Sequence, residues 1–329
     1  PVRAKKLLKN FYKERKKMFL KSKIGLFKKS LFLCLFLIVG SFAIGQNFDL
    51  AGFGYTDGPP VAYFIKFQKG NKIEISWYDA KEQKVKKSYK YQKKYIGRFP
   101  LFELDADMPD DLYANLDPKS KEYLGNKFML LTGLAKKAWG ENEDAVIGLG
   151  ILPASKGKKA AGFFTRFPTG GTGETPYFYY ENVSSHLVEK SKEGKREYGI
   201  ENLCDMREDT PWVEGVDGWG IGESFVIKTW KSSDDKYILL MNGYISASNP
   251  KLYDENGRIK KIMVEGVTSG KKKEFTVKDT PHPQTVDISF LPEQEDVKVT
   301  ILDVYKGTKY EDTAIHFMIL WRTEVIPYE

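Results

Sequence analysis

The residues best suited to chemistry in this sequence lie in three short clusters of its C-terminal half. The clusters are Trp212–Glu223, Met241–Tyr244 with Asn256–Lys261 downstream, and Asp303–Ile315. Each mixes glycine, asparagine and aspartate with aromatic side chains between strand-forming runs, which is typical of loops. Aromatic rings stack on the apolar C–H faces of sugars, while carboxylates, amides and guanidinium groups hydrogen-bond hydroxyls. The clusters therefore predict a binding surface rather than bond-making chemistry, and they leave the ligand open.

The predicted ligand-binding set takes polar or aromatic side chains from all three clusters. It comprises Glu214, Asp217, Trp219, Tyr244, Asn256, Arg258, Tyr305, Tyr310 and Asp312. Structural roles compete with this interpretation. Trp212 is expected in the core, because a large aromatic side chain is usually buried. Asn242 and Gly243 suit a turn with a positive φ. Arg258 could instead pair with an acid that orders its turn, and Asp312 could bond the loop backbone.

No catalytic residue, metal or cofactor is predicted. Leu104–Asp111 carries four carboxylates that could hold Ca²⁺, but the glycine and terminal acid of an EF-hand loop are missing, so a solvated acidic loop is expected. Nothing in the spacing of Glu201 and Asp205 marks them as an acid–base pair. Cys204 would need a histidine to act as a nucleophile. A small buried hydrophobic side chain is the better interpretation of it.

The net charge of the chain is misleading about its partners. Positions 1–45 hold twelve basic residues and one acid and so carry +11, which exceeds the formal charge of +8 and leaves −3 for residues 46–329. Because the folded part is slightly acidic, sequence-independent attraction to nucleic acid phosphates is not expected.

The same N-terminal positions are typical of an export signal. Lysines lead into an apolar run over Leu31–Gly45, and the small residues Ala43 and Gly45 suit the two key positions of a signal-peptidase site. The run is shorter than the roughly 20 residues that span a bilayer, so cleavage is expected rather than retention as an anchor. We expect an exported protein without a transmembrane segment after cleavage, in the periplasm, on the outer surface or outside the cell.

Hydrophobic alternation predicts a mainly β protein with two domains joined by a linker. Residues 46–167 are expected to form a small β-rich domain, residues 168–176 a Gly/Pro-rich linker, and residues 177–329 a β-sandwich. In the first half, strands are predicted at Asn71–Tyr78, Val85–Tyr95, Lys127–Gly133, Ala145–Leu152, Gly162–Phe167 and Tyr177–Tyr180, with helical turns at Pro118–Leu124 and Leu134–Trp139. In the second half they are predicted at Glu223–Lys228, Tyr237–Asn242, Lys260–Gly266, Lys273–Val277, Thr285–Phe290, Asp296–Val304 and Ala314–Arg322.

Eight short motifs between Val183 and Ile319 carry a family resemblance. They are Ser184-Ser185, Tyr198–Leu203, Thr210–Gly215, Gly220–Glu223, Asn242–Tyr244, Asn256–Arg258, Asp303–Tyr305 and Asp312–Ile315. In this order and spacing they resemble the discoidin-like (F5/8 type C, galactose-binding-like) domain, in the glycan-binding form attached to bacterial NAD glycohydrolases. The resemblance implies a jelly-roll sandwich that binds glycan. It departs at His316-Phe317, where the family has a small polar residue and an acid.

The function expected from the sequence is glycan recognition by an exported bacterial protein without catalytic activity. The first half resembles no family, and the NAD glycohydrolase catalytic domain is not visible in it. Two alternatives stay open: a secreted enzyme whose first domain is catalytic and is targeted by the sandwich, and a protein–protein adaptor of the envelope. A catalytic first domain is disfavoured because residues 46–167 contain no histidine. The identity of the glycan and the oligomeric state are left open.

Overall fold

The computed structural model describes residues 49–54, 61–78, 83–107, 126–136, 145–152, 161–164, 180–191, 194–205, 210–229, 235–246 and 249–328. The predicted signal segment, the linker and the helical turn at Pro118–Leu124 lie outside these ranges and stay predictions. The predicted acidic loop is described only as far as Asp107. The chain is mainly β, as predicted, and Gly45–Glu329 forms one compact unit.

The first half of the chain forms an antiparallel meander in which each strand pairs with the next. Its strands are β1 (Asp49–Gly54), β2 (Val61–Gln68), β3 (Lys72–Tyr78), β4 (Lys84–Ile96), β5 (Phe99–Leu104), β6 (Lys127–Ala135), β7 (Ala145–Leu152) and β8 (Ala161–Phe164). The thirteen-residue strand β4 pairs with β3 through its first half and with β5 through its second. Strand β1 lies close to β7 and β8, so the sheet curves back on itself.

The second half forms a sandwich of two layers. Its strands are β9 (Tyr180–Glu181), β12 (Trp212–Val213), β13 (Ser224–Ile227), β14 (Tyr237–Asn242), β15 (Gly257–Gly266), β16 (Lys272–Thr276), β17 (Gln284–Asp287), β18 (Val297–Tyr305) and β19 (Thr313–Trp321). One layer runs β17-β14-β19 with β12, and the other β16-β15-β18-β13-β9. A two-residue parallel pairing between β15 and β19 joins the layers.

Three small elements complete the second half. A hairpin of β10 (Val188–Ser191) and β11 (Gly194–Glu197) forms its own two-stranded sheet. The one-turn helices α1 (Asn202–Asp205) and α2 (Leu252–Glu255) connect strands. Cys204 in α1 is partly buried against the core, in keeping with the hydrophobic role expected of it.

Two hydrophobic cores lie on opposite faces of the β14–β19 layer. One core fills the sandwich and includes Phe225, Leu240 and Met318. The other lies between the same layer and strands β5 and β6, and includes Phe99, Leu101, Met129, Leu131, Leu239, Met241, Phe317 and Ile319. Burying apolar area is the main favourable term in folding, at about 25 cal/mol per Å². The first sheet and the sandwich are therefore stabilised by one shared core.

The C-terminal strand β20 (Val325–Tyr328) belongs to the first sheet. It pairs with the second half of β6, beyond the residues of β6 that pair with β5. At this crossing a Cβ on Gly133 would lie 2.5 Å from Cγ1 of Val325 and 3.1 Å from the Pro283 carbonyl oxygen. Only glycine fits there without displacing backbone.

Most predicted strands are confirmed, with some shifts in their ends. Ala145–Leu152 and Tyr237–Asn242 have the predicted bounds. The helical turn predicted from Leu134 is wrong for its described part, because Leu134 and Ala135 are the last residues of β6, paired with both β7 and β20. The predicted strand Thr285–Phe290 ends at Asp287. Strands β1, β2, β5, β10, β11, β12 and β20 were not predicted.

Candidate functional site

The three sequence clusters meet at one end of the sandwich, which we call the loop end (residues 214–223, 254–258 and 306–313). The backbone N–H of Glu214 donates to the Thr313 carbonyl oxygen at 3.3 Å, and that of Gly257 donates to the Asp312 carbonyl oxygen at 2.7 Å. The Thr313 hydroxyl donates to the Trp219 carbonyl oxygen at 2.9 Å. These bonds hold the loops after β12 and β18 and the start of β15 against each other.

The glycine-rich loop after β12 is built around the buried carboxylate of Glu214. Its two oxygens accept hydrogen bonds from the backbone N–H of Val216 at 2.9 Å and of Thr313 at 3.1 Å. Burial raises the pKa of Glu214, although these two hydrogen bonds oppose the rise. Gly220 has a φ of 63°, and a Cβ there would lie 2.4 Å from Cγ of Glu214. Glu214 therefore orders the loop and presents no free oxygen to a ligand.

The outer side of this loop is exposed and mixes apolar and polar groups. Asp217 is exposed, and Val216 and Ile221 are 41% and 61% exposed. Trp219 is half-buried, with its ring partly packed on the sandwich core. The ammonium of Lys306 lies 5.5 Å from the centre of the Trp219 ring, a cation–π distance. This surface offers an aromatic face, a carboxylate and an ammonium together.

The loop after β18 packs on helix α2. The backbone N–H groups of Lys309 and Tyr310 both donate to the Glu255 carbonyl oxygen, at 3.1 and 2.9 Å. The Asn256 amide donates to the Leu252 carbonyl oxygen at 2.8 Å, so this buried side chain caps α2. Tyr310 is half-buried, with the Lys309 ammonium 4.6 Å from its ring centre.

Asp312 is a half-buried carboxylate in an acidic surrounding. Burial raises its pKa, and the charges of Glu189 and Glu311 add to the rise. Glu189 lies on β10 and accepts a hydrogen bond from the Tyr198 hydroxyl at 2.8 Å. The half-buried carboxylate of Asp312 can accept a hydrogen bond from a ligand hydroxyl.

Tyr244 faces the hairpin β10–β11. It is 6% exposed, its ring is 6.1 Å from that of Tyr198, and its hydroxyl accepts a hydrogen bond from Nη2 of Arg196 at 3.1 Å. The guanidinium of Arg196 also lies 4.8 Å from the Tyr198 ring. The side chain of Tyr244 is therefore buried and bonded within the protein.

Arg258 is the centre of a buried ionic cluster. The residue is 5% exposed, and its guanidinium bonds both oxygens of Asp279, through Nε at 2.8 Å and Nη2 at 3.2 Å. Nη1 donates to the carbonyl oxygens of Tyr253 and Asn256 at 3.1 and 2.9 Å. Burial alone would raise the pKa of Asp279, but the hydrogen bonds and charge of Arg258 lower it. The alternative in which Arg258 pairs with an acid is the one that the structure shows.

The first sheet contributes to the same cluster through Arg98, in the turn between β4 and β5. Arg98 Nε lies 3.1 Å from Oδ1 of Asp254, and its Nη1 donates to the Asp279 carbonyl oxygen at 2.7 Å. The centre of the Tyr253 ring lies 5.7 Å from the guanidinium of Arg98 and 5.2 Å from that of Arg258. Arg98 thus links the first sheet to helix α2, on which the loop after β18 rests.

The nine predicted residues divide into two groups. Asp217, Trp219, Tyr310 and Asp312 lie at the loop end with exposed or half-exposed side chains. Glu214, Tyr244, Asn256 and Arg258 are buried and bonded within the protein, and the half-buried Tyr305 donates its hydroxyl to the Val277 carbonyl oxygen at 3.1 Å. Trp212 is fully buried in the core, as predicted.

Several residues around the site were not predicted. Lys306 lies within the third cluster but was not among the predicted residues. Arg196 and Asp279 approach the site from elements distant in sequence, and no local pattern marks them. Ser184 and Ser185 both donate to Oε2 of Glu223, and Trp212 Nε1 donates to the Ser185 carbonyl oxygen at 3.2 Å. The serine pair was singled out only through the family resemblance.

Among the described residues, no group of three or more His, Cys, Asp or Glu side chains is placed to hold a metal ion. In the same part of the chain, no helix has the length and apolar character to cross a membrane.

Comparison with known proteins identifies the sandwich. Residues 178–320 match the family model of the NAD glycohydrolase translocation F5/8 type C domain. The resemblance is confirmed. The match covers less than half of the chain and leaves the first sheet unassigned. No curated protein sequence matches. A mutant of the mycobacterial arabinofuranosyltransferase AftD is 13% identical over 59% of this chain and 14% of its own, with a TM-score of 0.31, which supports no argument about fold or function.

Proposed function

We propose that the loop end of the translocation-type sandwich binds carbohydrate without catalysing a reaction. The observation that supports this most is the loop around Glu214, which is anchored by a buried carboxylate and holds Trp219 and Asp217 at the surface beside Lys306. An aromatic ring held in a fixed loop, with an ammonium 5.5 Å from its centre and a carboxylate two residues away in the chain, offers both the apolar and the polar groups that a sugar can bind. Tyr310 and Asp312 extend the same surface.

The buried members of the predicted set have a supporting role in this proposal. Glu214 fixes the loop after β12, Asn256 caps α2, and Arg258 orders the start of β15. Fixing these loops before binding lowers the conformational entropy lost on binding. Ligand contact is therefore assigned to Asp217, Trp219, Lys306, Tyr310 and Asp312.

Export of the protein belongs to the same proposal. The matched family is described as a translocation domain, and the basic and apolar N-terminal residues have the pattern of a signal peptide. Together they support a protein that acts outside the cytoplasm, where glycans of an envelope or of a host surface are accessible.

A glycan array probed with residues 45–329 tests the proposal. This range is preferred to the sandwich alone because the first sheet and the sandwich share a core. Asp217→Asn should weaken binding to any positive glycan about tenfold, the value of a hydrogen bond to a charged group. Trp219→Ala should weaken binding further. Because the Trp219 ring packs partly on the sandwich core, a melting curve must show that this variant is folded.

The matched control is Val267→Ala, which removes an exposed apolar side chain from the turn between β15 and β16. It should leave affinity unchanged. An array that stays blank with protein shown to be folded by circular dichroism would contradict carbohydrate binding. Equal binding by the wild type and Asp217→Asn would contradict the proposal that carbohydrate binds at the loop end.

A further inference from the structure

The turn between β4 and β5 is the part of the first sheet that reaches helix α2. Gly97 has a φ of 57°, a backbone conformation that favours glycine. A Cβ on Gly97 would lie 3.9 Å from Oδ2 of Asp254. On the other side of Arg98, the Phe99 ring meets the Tyr253 ring edge-on, with 5.7 Å between the ring centres. This turn therefore contacts α2 both before and after Arg98.

Arg98 supplies the polar contacts of this turn with the sandwich. Its Nε lies 3.1 Å from Oδ1 of Asp254, and its Nη2 lies 3.1 Å from Oδ2 of Asp279. Its Nη1 also donates to the Asp279 carbonyl oxygen. The N–H groups of a guanidinium have a fixed planar arrangement, so a group that meets two carboxylates and a carbonyl oxygen at once holds them in one relative position.

Helix α2 depends on such contacts for its position. It has four residues, and no side chain among the described residues caps its N-terminus. A single helical turn is not stable in water by itself. The position of α2 is therefore set by the burial of Tyr253, by the bonds of Arg258 to backbone carbonyl oxygens and, from the first sheet, by Arg98.

The loop after β18 is attached to α2 through two carbonyl oxygens of the helix. The backbone N–H and the hydroxyl of Thr308 donate to the Asp254 carbonyl oxygen at 3.0 and 3.2 Å. The backbone N–H of Tyr310 donates to the Glu255 carbonyl oxygen at 2.9 Å. Gly307 fits closely, since a Cβ there would lie 2.3 Å from the same Glu255 oxygen. A shift of α2 would therefore move this loop.

The same loop carries two of the residues assigned to ligand contact. Lys306 lies at its start, with its ammonium 5.5 Å from the centre of the Trp219 ring, and Tyr310 lies four residues further on. The path from Arg98 to these side chains runs through the Asp254 carboxylate, the carbonyl oxygens of α2 and the loop itself. Each step of this path is a direct contact.

We propose that Arg98 is a positioning residue of the loop end. It fixes α2 and thereby the loop that presents Lys306 and Tyr310, so that the first sheet sets the affinity of a site on the sandwich. A loop held in place before binding loses less conformational entropy when a ligand arrives. The inference rests on the proposed binding of carbohydrate at the loop end. It gives a role to the first sheet, which lies outside the family match.

The affinity of Arg98→Met tests the proposal in residues 45–329. The probe is the array glycan that the wild type binds most strongly. The variant should bind it about fivefold more weakly, the order of effect expected when ligand binding must immobilise a flexible side chain. The side chain of Arg98 is 41% exposed, so its loss should leave the protein folded.

The matched control is Arg322→Met. The Nε of Arg322 lies 3.8 Å from Oδ1 of Asp235, and its side chain is 56% exposed. Arg322 follows the last residue of β19, whereas the loop end lies at the first residue, Thr313. Nine residues of a strand span about 30 Å. The control therefore removes an exposed arginine ion pair far from the loop end and should leave affinity unchanged.

Hydrogen exchange without any ligand separates positioning from binding. The backbone amides of Thr308, Lys309 and Tyr310 donate to carbonyl oxygens of α2. They should exchange about fivefold faster in Arg98→Met, because local opening of α2 no longer breaks the contacts of Arg98. In Arg322→Met they should exchange at the wild-type rate, since its ion pair stays intact during that local opening. A general loss of stability would act on both variants alike.

The outcomes distinguish this inference from the proposed function. Weaker binding together with faster exchange in Arg98→Met alone would support the positioning role. Unchanged exchange at the three amides, equal changes in both variants, or unchanged affinity for a glycan that binds would overturn it. A blank array with faster exchange in Arg98→Met would contradict carbohydrate binding and would still support the hold of Arg98 on the loop.

Discussion

Strands β4 and β19 show how differently two long strands of one chain can be used. All nine residues of β19 are buried, whereas only Tyr89 and Tyr91 of the thirteen residues of β4 are buried. Strand β19 lies between two cores, the sandwich interior on one face and the first sheet on the other. Strand β4 has a core on one face and solvent on the other. Substitutions in β19 should therefore act on stability, and those on β4 mainly on the surface.

The largest difference is expected between Phe317→Ala and Tyr95→Ala. Phe317 on β19 is 2% exposed and its truncation leaves a cavity in the shared core, whereas Tyr95 on β4 is 59% exposed. We expect a loss of about 4 kcal/mol in the free energy of unfolding for Phe317→Ala and less than about 1 kcal/mol for Tyr95→Ala. Urea denaturation of residues 45–329 measures both. Similar losses in the free energy of unfolding for the two variants would mean that Phe317 of β19 does not stabilise the shared core as proposed.

A smaller difference is expected within the ionic cluster that joins the two regions. Arg258→Met removes the main partner of the largely buried Asp279 and should cost about 3 kcal/mol. Arg98→Met removes a guanidinium from a side chain that is 41% exposed. Because solvent screens an exposed ion pair, this variant should lose less than about 1 kcal/mol. Urea denaturation again provides the measurement. A larger loss for Arg98→Met than for Arg258→Met would show that this cluster stabilises the contact between the first sheet and the sandwich more than it stabilises the sandwich itself.

The smallest of these effects comes from His316, the extra residue of β19 at its bulge opposite β14. Its ring is buried, neither nitrogen has a hydrogen-bond partner among the described residues, and burial lowers its pKa to about 4. The unfolded imidazole has a pKa of about 6.5, so the unfolded state takes up the proton first as the pH falls. Stability should therefore decrease as the pH falls from about 6.5 towards about 4.

His316→Leu isolates this contribution. Between pH 8 and pH 5 the wild type should lose about 2 kcal/mol more than the variant, because the leucine takes up no proton. Chemical denaturation of both proteins at each pH gives the difference. A difference that stays constant over this range would show that the buried ring finds a partner that keeps its pKa near the ordinary value.

The strands that were predicted correctly are those in which burial in a core gives the sequence a clear pattern of apolar residues. Strand β14 has the predicted bounds because four consecutive apolar residues lie in it. Strands β5 and β20 were missed because each contains a proline, Pro100 or Pro327, which normally argues against a strand. The hairpin β10–β11 is largely polar and exposed, so it has no hydrophobic period to detect.

The site was predictable only as far as its residues lie close in sequence. Glycine spacing and aromatic content identified the loop around Trp219, and the expected burial of Trp212 was confirmed. The partner of Arg258 could not be identified, because Asp279 lies 21 positions away in a different connection. The placement of Arg98 depends on the packing of the first sheet against α2, which no local pattern contains.

The pairing of β20 with β6 has a consequence for the order in which the protein can fold. Val325 pairs with Ala135, 190 positions earlier, so the edge of β6 that lies beyond β5 stays open until the whole sandwich has been synthesised. Contacts between such distant residues slow folding, and unpaired strand edges invite association with other chains. A nascent chain of the first sheet alone would expose both this edge and the apolar side of β5 and β6. It should therefore depend on a chaperone, or on a delay in collapse, until its C-terminal strand arrives.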